Sequence, residues 1–158
     1  MSNNSPEHYE RIGTLKLQDV FPHIKENFNN FGKRKVNING FNVNVQSLRL
    51  RTFYKQGVTC PCCSLSAQYF AVERSKGNSG GYHLNLYGLN NQNEEVIFTH
   101  DHIVARVLGG ADDITNSITM CGPCNWNKGK IEQLLTKTED PVEIEKLQKE
   151  LEKLKFHI

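Results

Sequence analysis

The chain has 158 residues, of which 19 are Lys or Arg and 17 are Asp or Glu, giving a formal net charge of +2. That length suits one domain of ordinary size, with or without terminal attachments, and no apolar run in it is long enough for a membrane-spanning helix. The small net charge hides an uneven distribution: between Asn27 and Val72 there is no Asp or Glu, while Lys33, Arg34, Lys35, Arg49, Arg51 and Lys55 are all cationic. Such a segment in a nearly neutral chain reads as a surface for an anionic polymer, with a merely solvated face as the bland alternative.

In chain order, residues 1–11 are polar and are expected to fray. They carry no hydrophobic leader, which together with the odd count of five cysteines points to a reducing compartment. Leu17, Val20, Phe21, Ile24, Phe28 and Phe31 then form an apolar helical stripe, with Asp19 as a possible cap and Pro22 tolerable only in the first turn. Residues 36–43 carry the Asn39-Gly40 hairpin signal, which pairs Ile38 with Phe41 and Val36 with Val43 on one face. A short helix over 48–54 bears Arg49 and Arg51.

Residues 82–89 and 96–103 read as two strands joined by the polar turn 90–95. Neighbours on a regular strand point to opposite faces, so Asp101 and His102 can share one site only if the chain bulges or leaves the sheet near them. His100 lies on the face of His102, where a packed strand histidine is favoured over a substrate contact. Residues 117–120 are short and β-prone, and the segment from Gly122 to Leu135 has Ile131, Leu134 and Leu135 at helical spacing. Asn125 falls in the first turn of that helix, where free backbone N–H groups favour phosphate, and Lys128 on a nearby face suits a phosphate contact. Lys130 reads as a solvated lysine. Trp126 could stack on a base, but core packing is the favoured reading of an aromatic beside a cysteine cage. After Asp140-Pro141, the residues Ile144, Leu147, Leu151, Leu154 and Ile158 form a narrow apolar seam with Glu145 and Lys149 as an i,i+4 pair. Packing back on the domain is the expected fate of this helix; a homodimer seam stays open as the alternative.

The chemistry concentrates in two cysteine pairs. Cys60 and Cys63 form one C-x-x-C turn and Cys121 and Cys124 another, the arrangement that lets four thiolates converge on one tetrahedral zinc. Zinc would clasp the two ends of the long segment between the pairs; two disulfides are the rival reading. Cys62 falls outside the spacing, either as a small buried residue or as a ligand that swaps with a neighbour. Between the pairs, Asp101 offers a hard oxygen for magnesium or manganese and His102 a base that titrates near neutrality. Phosphodiester hydrolysis needs both parts, a base for water and a cation for the charge that builds on phosphate.

The order Asp101-His102-Ile103, Gly109-Gly110, Asn116, then Cys121 to Gly129 with Asn125 and Lys128 in place resembles the HNH endonucleases, whose site reads roughly D-H-I, G-G, D-x-x-N and C-x-x-C-N-x-x-K-G. The resemblance covers about residues 60–135. It implies that His102 is the general base, that Asp101 and Asn125 are the protein ligands of the catalytic divalent metal, as in the H-N-N branch, and that Asn116 braces the loop bearing the base. Two departures stand out: Ala105 replaces a frequent proline, and asparagine at the third position gives a weaker ligand set.

The implied fold is α+β: a ββα-metal (HNH, or His-Me finger) nuclease core stapled by a structural zinc, over residues 57–137. An N-terminal helix-hairpin-helix-like α+β extension over 1–56 forms the DNA-contacting module, and an amphipathic helix occupies 138–158. The implied function is metal-dependent hydrolysis of DNA, preferably double-stranded, to 5′-phosphate and 3′-hydroxyl ends. The cofactors are structural Zn2+ and catalytic Mg2+ or Mn2+, and the expected location is cytoplasmic, as in small phage or mobile-element nucleases. The alternative function is a non-catalytic zinc-stapled module that binds nucleic acid.

Overall fold

The computed structural model describes residues 6–29, 32–104 and 108–156. Strand β1 (Tyr9–Lys16) runs directly into helix α1 (Leu17–Glu26), followed by the hairpin β2 (Lys35–Ile38) and β3 (Phe41–Asn44) and by α2 (Leu48–Gln56). Strands β4 (Ala67–Ser75), β5 (His83–Leu89), β6 (Glu95–His102) and β7 (Ser117–Cys121) come next, then α3 (Gly122–Lys137) and α4 (Pro141–Phe156). The sheet is antiparallel with the order β1-β4-β5-β6-β7, and β2 and β3 make a separate ribbon.

Period-2 alternation divides the sheet into two chemically different faces. Phe70, Val72, Leu84, Leu86 and Phe98 point to one side and bury against Val20 and Ile24 of α1, Ile38 and Val43 of the hairpin, and Leu50 and Phe53 of α2. The hairpin closes as its sequence requires: Ile38 faces Phe41, Val36 faces Val43, and Asn39 and Gly40 take positive φ of 50° and 94°. It lies so close to β1 that a Cβ on Gly13 would stand 2.5 Å from the Phe41 ring.

On the opposite face Glu73 is buried. It accepts hydrogen bonds from Arg11 Nε at 2.8 Å, Asn85 Nδ2 at 2.9 Å and the Tyr87 hydroxyl at 2.6 Å. Arg11 also pairs with Glu95 at 2.8 Å and sits 4.9 Å from the centre of the Tyr87 ring. An acid buried in this way needs its partners, and Arg11 comes from β1. Here the structure corrects the expectation of a frayed start for residues 9–11, since Tyr9 to Lys16 pairs along β4 and Leu15 is buried in the core, while residues 1–5 lie outside the described residues. Strand β4, flanked by β1 and β5 and buried on both faces from Phe70 to Glu73, has no counterpart in the sequence reading. A strand buried on both sides lacks the alternation by which a half-exposed strand is recognised.

Three further expectations change. Pro22 is the sixth residue of α1 rather than a first-turn residue, so the carbonyl of Gln18 loses its usual helical donor. The N-cap of α1 is Lys16, without a side-chain cap, and Asp19 lies inside the first turn. The boundary at 56/57 falls within one core, because β1 joins the sheet of the later segment and α1, α2 and the hairpin pack on it. At the other end α4 packs on α3, with Leu147 and Leu151 buried and Leu154 against the main core. The apolar seam is thus occupied within the chain. Phe31, Ala105 and Ile158 lie outside the described residues, and among the described residues no helix is long and apolar enough to cross a membrane.

Candidate functional site

The turn after α2 brings the first cysteine pair to the sheet. Ala67 N donates to Val58 O, Cys60 N to Leu65 O and Ser64 N to Cys60 O, and Ser64 takes a φ of 67° to close the knuckle. Cys121 ends β7 and is the N-cap of α3, so Cys124 stands in the first turn, beside backbone N–H groups that favour a thiolate. The ligand atoms of Cys60, Cys63, Cys121 and Cys124 all lie within 4.8 Å of one another.

Four thiols so close cannot all ionise without a cation. The Cys60 thiol is pulled well down, chiefly by its bond with Cys121, while the Cys121 thiol is pushed up by the same bond and Cys124 by burial. A thiolate-binding divalent ion resolves that conflict, and the donor set fits zinc. All five cysteines are free of disulfides. Cys62 stays outside the cluster; it is buried in the core, and burial raises its thiol pKa.

Strand β6 positions the acid and the base, and it does so without the expected bulge. Its register with β7 is regular from Phe98 opposite Cys121 to His102 opposite Ser117. Asp101 and His102 therefore project from opposite faces. His102 shares its face with His100, ring centroids 6.2 Å apart, while Asp101 faces α3 with Thr99. What ends early instead is the pairing of β6 with β5. The ladder ends at Leu86 opposite Phe98, and beyond that point the carbonyl of Leu84 accepts a hydrogen bond from Arg49 at 2.7 Å.

His102 Nε2 lies 2.9 Å from Asp112 Oδ1, with the ring 18% and the carboxylate 56% exposed. The sequence reading missed Asp112; only its place just after Gly109-Gly110 could have pointed to it. Asn116 ties the connecting segment together: its Nδ2 donates to Val104 O and Ala111 O, and its Oδ1 accepts from Val104 N. Its own carbonyl accepts from Ile103 N. Burial, then the charges of Arg49 and His102, push the His100 imidazole below its ordinary value.

Asn125 donates from Nδ2 to Thr99 Oγ1 at 2.8 Å, and that hydroxyl in turn donates to Met120 O. Because the threonine proton is committed, Thr99 can only accept from Asn125. The amide oxygen of Asn125 is thereby turned away and left as an acceptor. Lys128 departs most from expectation. It is fully buried, with Nζ 2.6 Å from Asp101 Oδ2 and 2.8 Å from Glu132 Oε1, and it donates to His102 O at 2.9 Å. No face of it is presented to a phosphate. Two carboxyl groups share one ammonium, and Glu132 Oε2 is buried without a hydrogen-bond partner. This leaves an excess of negative charge beside Asp101 and the acceptor oxygen of Asn125, a setting that fits a hard divalent cation.

The basic segment separates into two groups. Lys33, Arg34, Lys35 and Lys55 are exposed. Arg49 and Arg51 are half-buried and committed to backbone, Arg51 through Nε to Gln46 O, which leaves them less available to a partner.

Four cysteines that could hold zinc, set beside an acid, a histidine and an asparagine on a strand–helix unit, give this α+β protein a candidate metal site. Residues 90–138 match the family model of the HNH endonucleases. No curated protein and no solved structure matches the chain significantly.

Proposed function

We propose that this protein is a metal-dependent HNH-type endonuclease that hydrolyses duplex DNA to 5′-phosphate and 3′-hydroxyl ends, with β6, β7 and α3 as its ββα-metal finger. The observation that carries the reading is the 2.9 Å contact of His102 Nε2 with Asp112, at the end of the strand that bears Asp101. A carboxylate on one ring nitrogen orients the imidazole and leaves the other free for chemistry, so His102 Nδ1 takes the proton from the attacking water. Asp101 and the amide oxygen of Asn125 would hold Mg2+ or Mn2+, which when bound neutralises charge on the phosphate and on the leaving 3′ oxygen.

Opposite orientations of Asp101 and His102 are compatible with one site because β6 is no longer paired with β5 past Phe98. A phosphodiester approaching along that stretch meets both faces, with the Arg49 cation nearby. Asn116 keeps the connection after His102 in shape, and zinc clasps the start of α3, which carries Asn125. In this reading residues 1–56 present Lys33, Arg34, Lys35 and Lys55 to the DNA backbone, and the protein works in a reducing, cytoplasmic setting.

A second reading, a zinc-stapled binding module without catalysis, is favoured by one observation: the Lys128 ammonium already sits 2.6 Å from Asp101. Nicking of supercoiled plasmid with Mg2+, Mn2+ or a chelator, alongside His102→Ala at unchanged zinc content, separates the two. Metal-dependent nicking that is abolished in the variant is expected. DNA binding without nicking in any metal would establish the binding module instead.

A further inference from the structure

The tryptophan beside the cage was expected in the core, and it is not there. Trp126, the one tryptophan of the chain, is 49% exposed, and Leu134 two turns later is 53% exposed. Both line a groove of about 640 Å³ between α3 and β6, together with Thr99, Asn125, Lys130 and Lys137. The volume is that of a site for a small organic molecule, about 300–1,000 Å³. Gly122 and Gly129 also line the groove, and Gly129 leaves open space where a side chain would stand.

We infer that this groove takes an unstacked nucleotide of the strand being cut, its base against Trp126 and its phosphates toward Lys130 and Lys137. The inference rests on the nuclease reading and adds to it a place for the strand beside the scissile bond.

Three observations select this occupant. The first is charge: the lining holds two lysines and no carboxylate, which suits a polyanion. Lys130 Nζ already lies 5.1 Å from the centre of the Trp126 ring, so a cation and a flat π-surface are presented together, the pairing that single-stranded nucleic acid uses. The second is continuity. Asn125, assigned to the catalytic cation, is itself a lining residue, so a strand in the groove leads into the site. The third is reach. Residues 126, 130, 133, 134 and 137 recur at helical spacing on one face. Eleven residues of helix span about 16 Å, longer than a single nucleotide. A short run of strand fits.

A sole tryptophan makes the test direct. Its emission would be followed while the full-length zinc-loaded protein is titrated, without added Mg2+ or Mn2+, with a short single-stranded oligodeoxynucleotide. Binding would be read independently from the anisotropy of a dye on the DNA. Quenching that saturates together with the anisotropy is expected. Trp126→Ala should weaken binding about 5- to 150-fold, the effect of losing one stacked base. Lys130→Ala with Lys137→Ala should make the slope of log affinity against log salt shallower by about 1.4, the release of two phosphates on a single strand. Binding by anisotropy with unmoved emission, and with Trp126→Ala at wild-type affinity, would overturn the groove assignment. Plasmid nicking measured in parallel keeps the two proposals apart. Nicking without quenching removes the groove and leaves the nuclease; quenching without nicking in any metal supports the groove and removes the nuclease.

Discussion

At the scale of single residues, the candidate site is governed by a lysine whose role cannot be seen from spacing. Three positions after Asn125, Lys128 reads as a surface cation, yet its stem runs inward and its ammonium ends between Asp101 and Glu132 with a bond to the His102 carbonyl. Removing one partner of a buried ion pair leaves the others uncompensated. Lys128→Met is therefore expected to cost about 3–5 kcal/mol of stability, measured by denaturant unfolding, and Glu132→Gln in the same chain should recover part of it. A surface phosphate contact would behave differently, with weaker DNA affinity at unchanged stability. The cysteines yield a second expectation. Cys62→Ser should keep its zinc by elemental analysis while Cys63→Ser loses it, because only the latter belongs to the four-thiol cluster. Retention of zinc in both variants would mean that Cys62 substitutes as a ligand.

At the scale of elements, much was legible because the signals were local. The Asn39-Gly40 turn sets its own hairpin register, and α2, β5, β6, β7 and α3 lie within a few residues of where patterning puts them. Helix α4 follows the same rule: Asp140 caps it by accepting from Val142 N at 3.0 Å, and its seam recurs at helical steps. Which partner that seam meets is not a local matter. Since Leu147 and Leu151 are buried within the chain, truncating either to Ala should cost about 2–5 kcal/mol in thermal or denaturant unfolding. The mass in solution, read by sedimentation, should stay the same. A change in oligomeric mass would instead place the seam between two chains. β1 and β4 were not legible. One is an edge strand whose reason to pair is an acid sixty residues away, and the other is buried on both faces and so has no alternation to show.

At the scale of the whole molecule, the basic segment no longer acts as one patch. Folding leaves Lys33, Arg34, Lys35 and Lys55 in solvent and commits Arg49 and Arg51 to carbonyls. Replacing Lys33, Arg34 and Lys35 by Ala should lower duplex affinity and make the salt slope shallower by up to about 2.7, roughly 0.9 for each phosphate that no longer meets a cation. Gel shifts across a salt series would check this, and an unchanged slope would remove the hairpin from the interface. The amino-acid sequence by itself determined the two cysteine pairs, the match of residues 90–138 to the HNH family model and the types of residue at the candidate site. These follow from short spacings and from the chemistry of Cys, Asp, His and Asn, which does not depend on distant parts of the chain. Only the tertiary structure decided that β6 runs straight, that Asp112 meets His102, that Lys128 is buried and that Trp126 is exposed. The physical reason is common to all four: burial and pairing are settled by which elements pack together, and a residue's neighbours in space come from strands and helices that local spacing does not order.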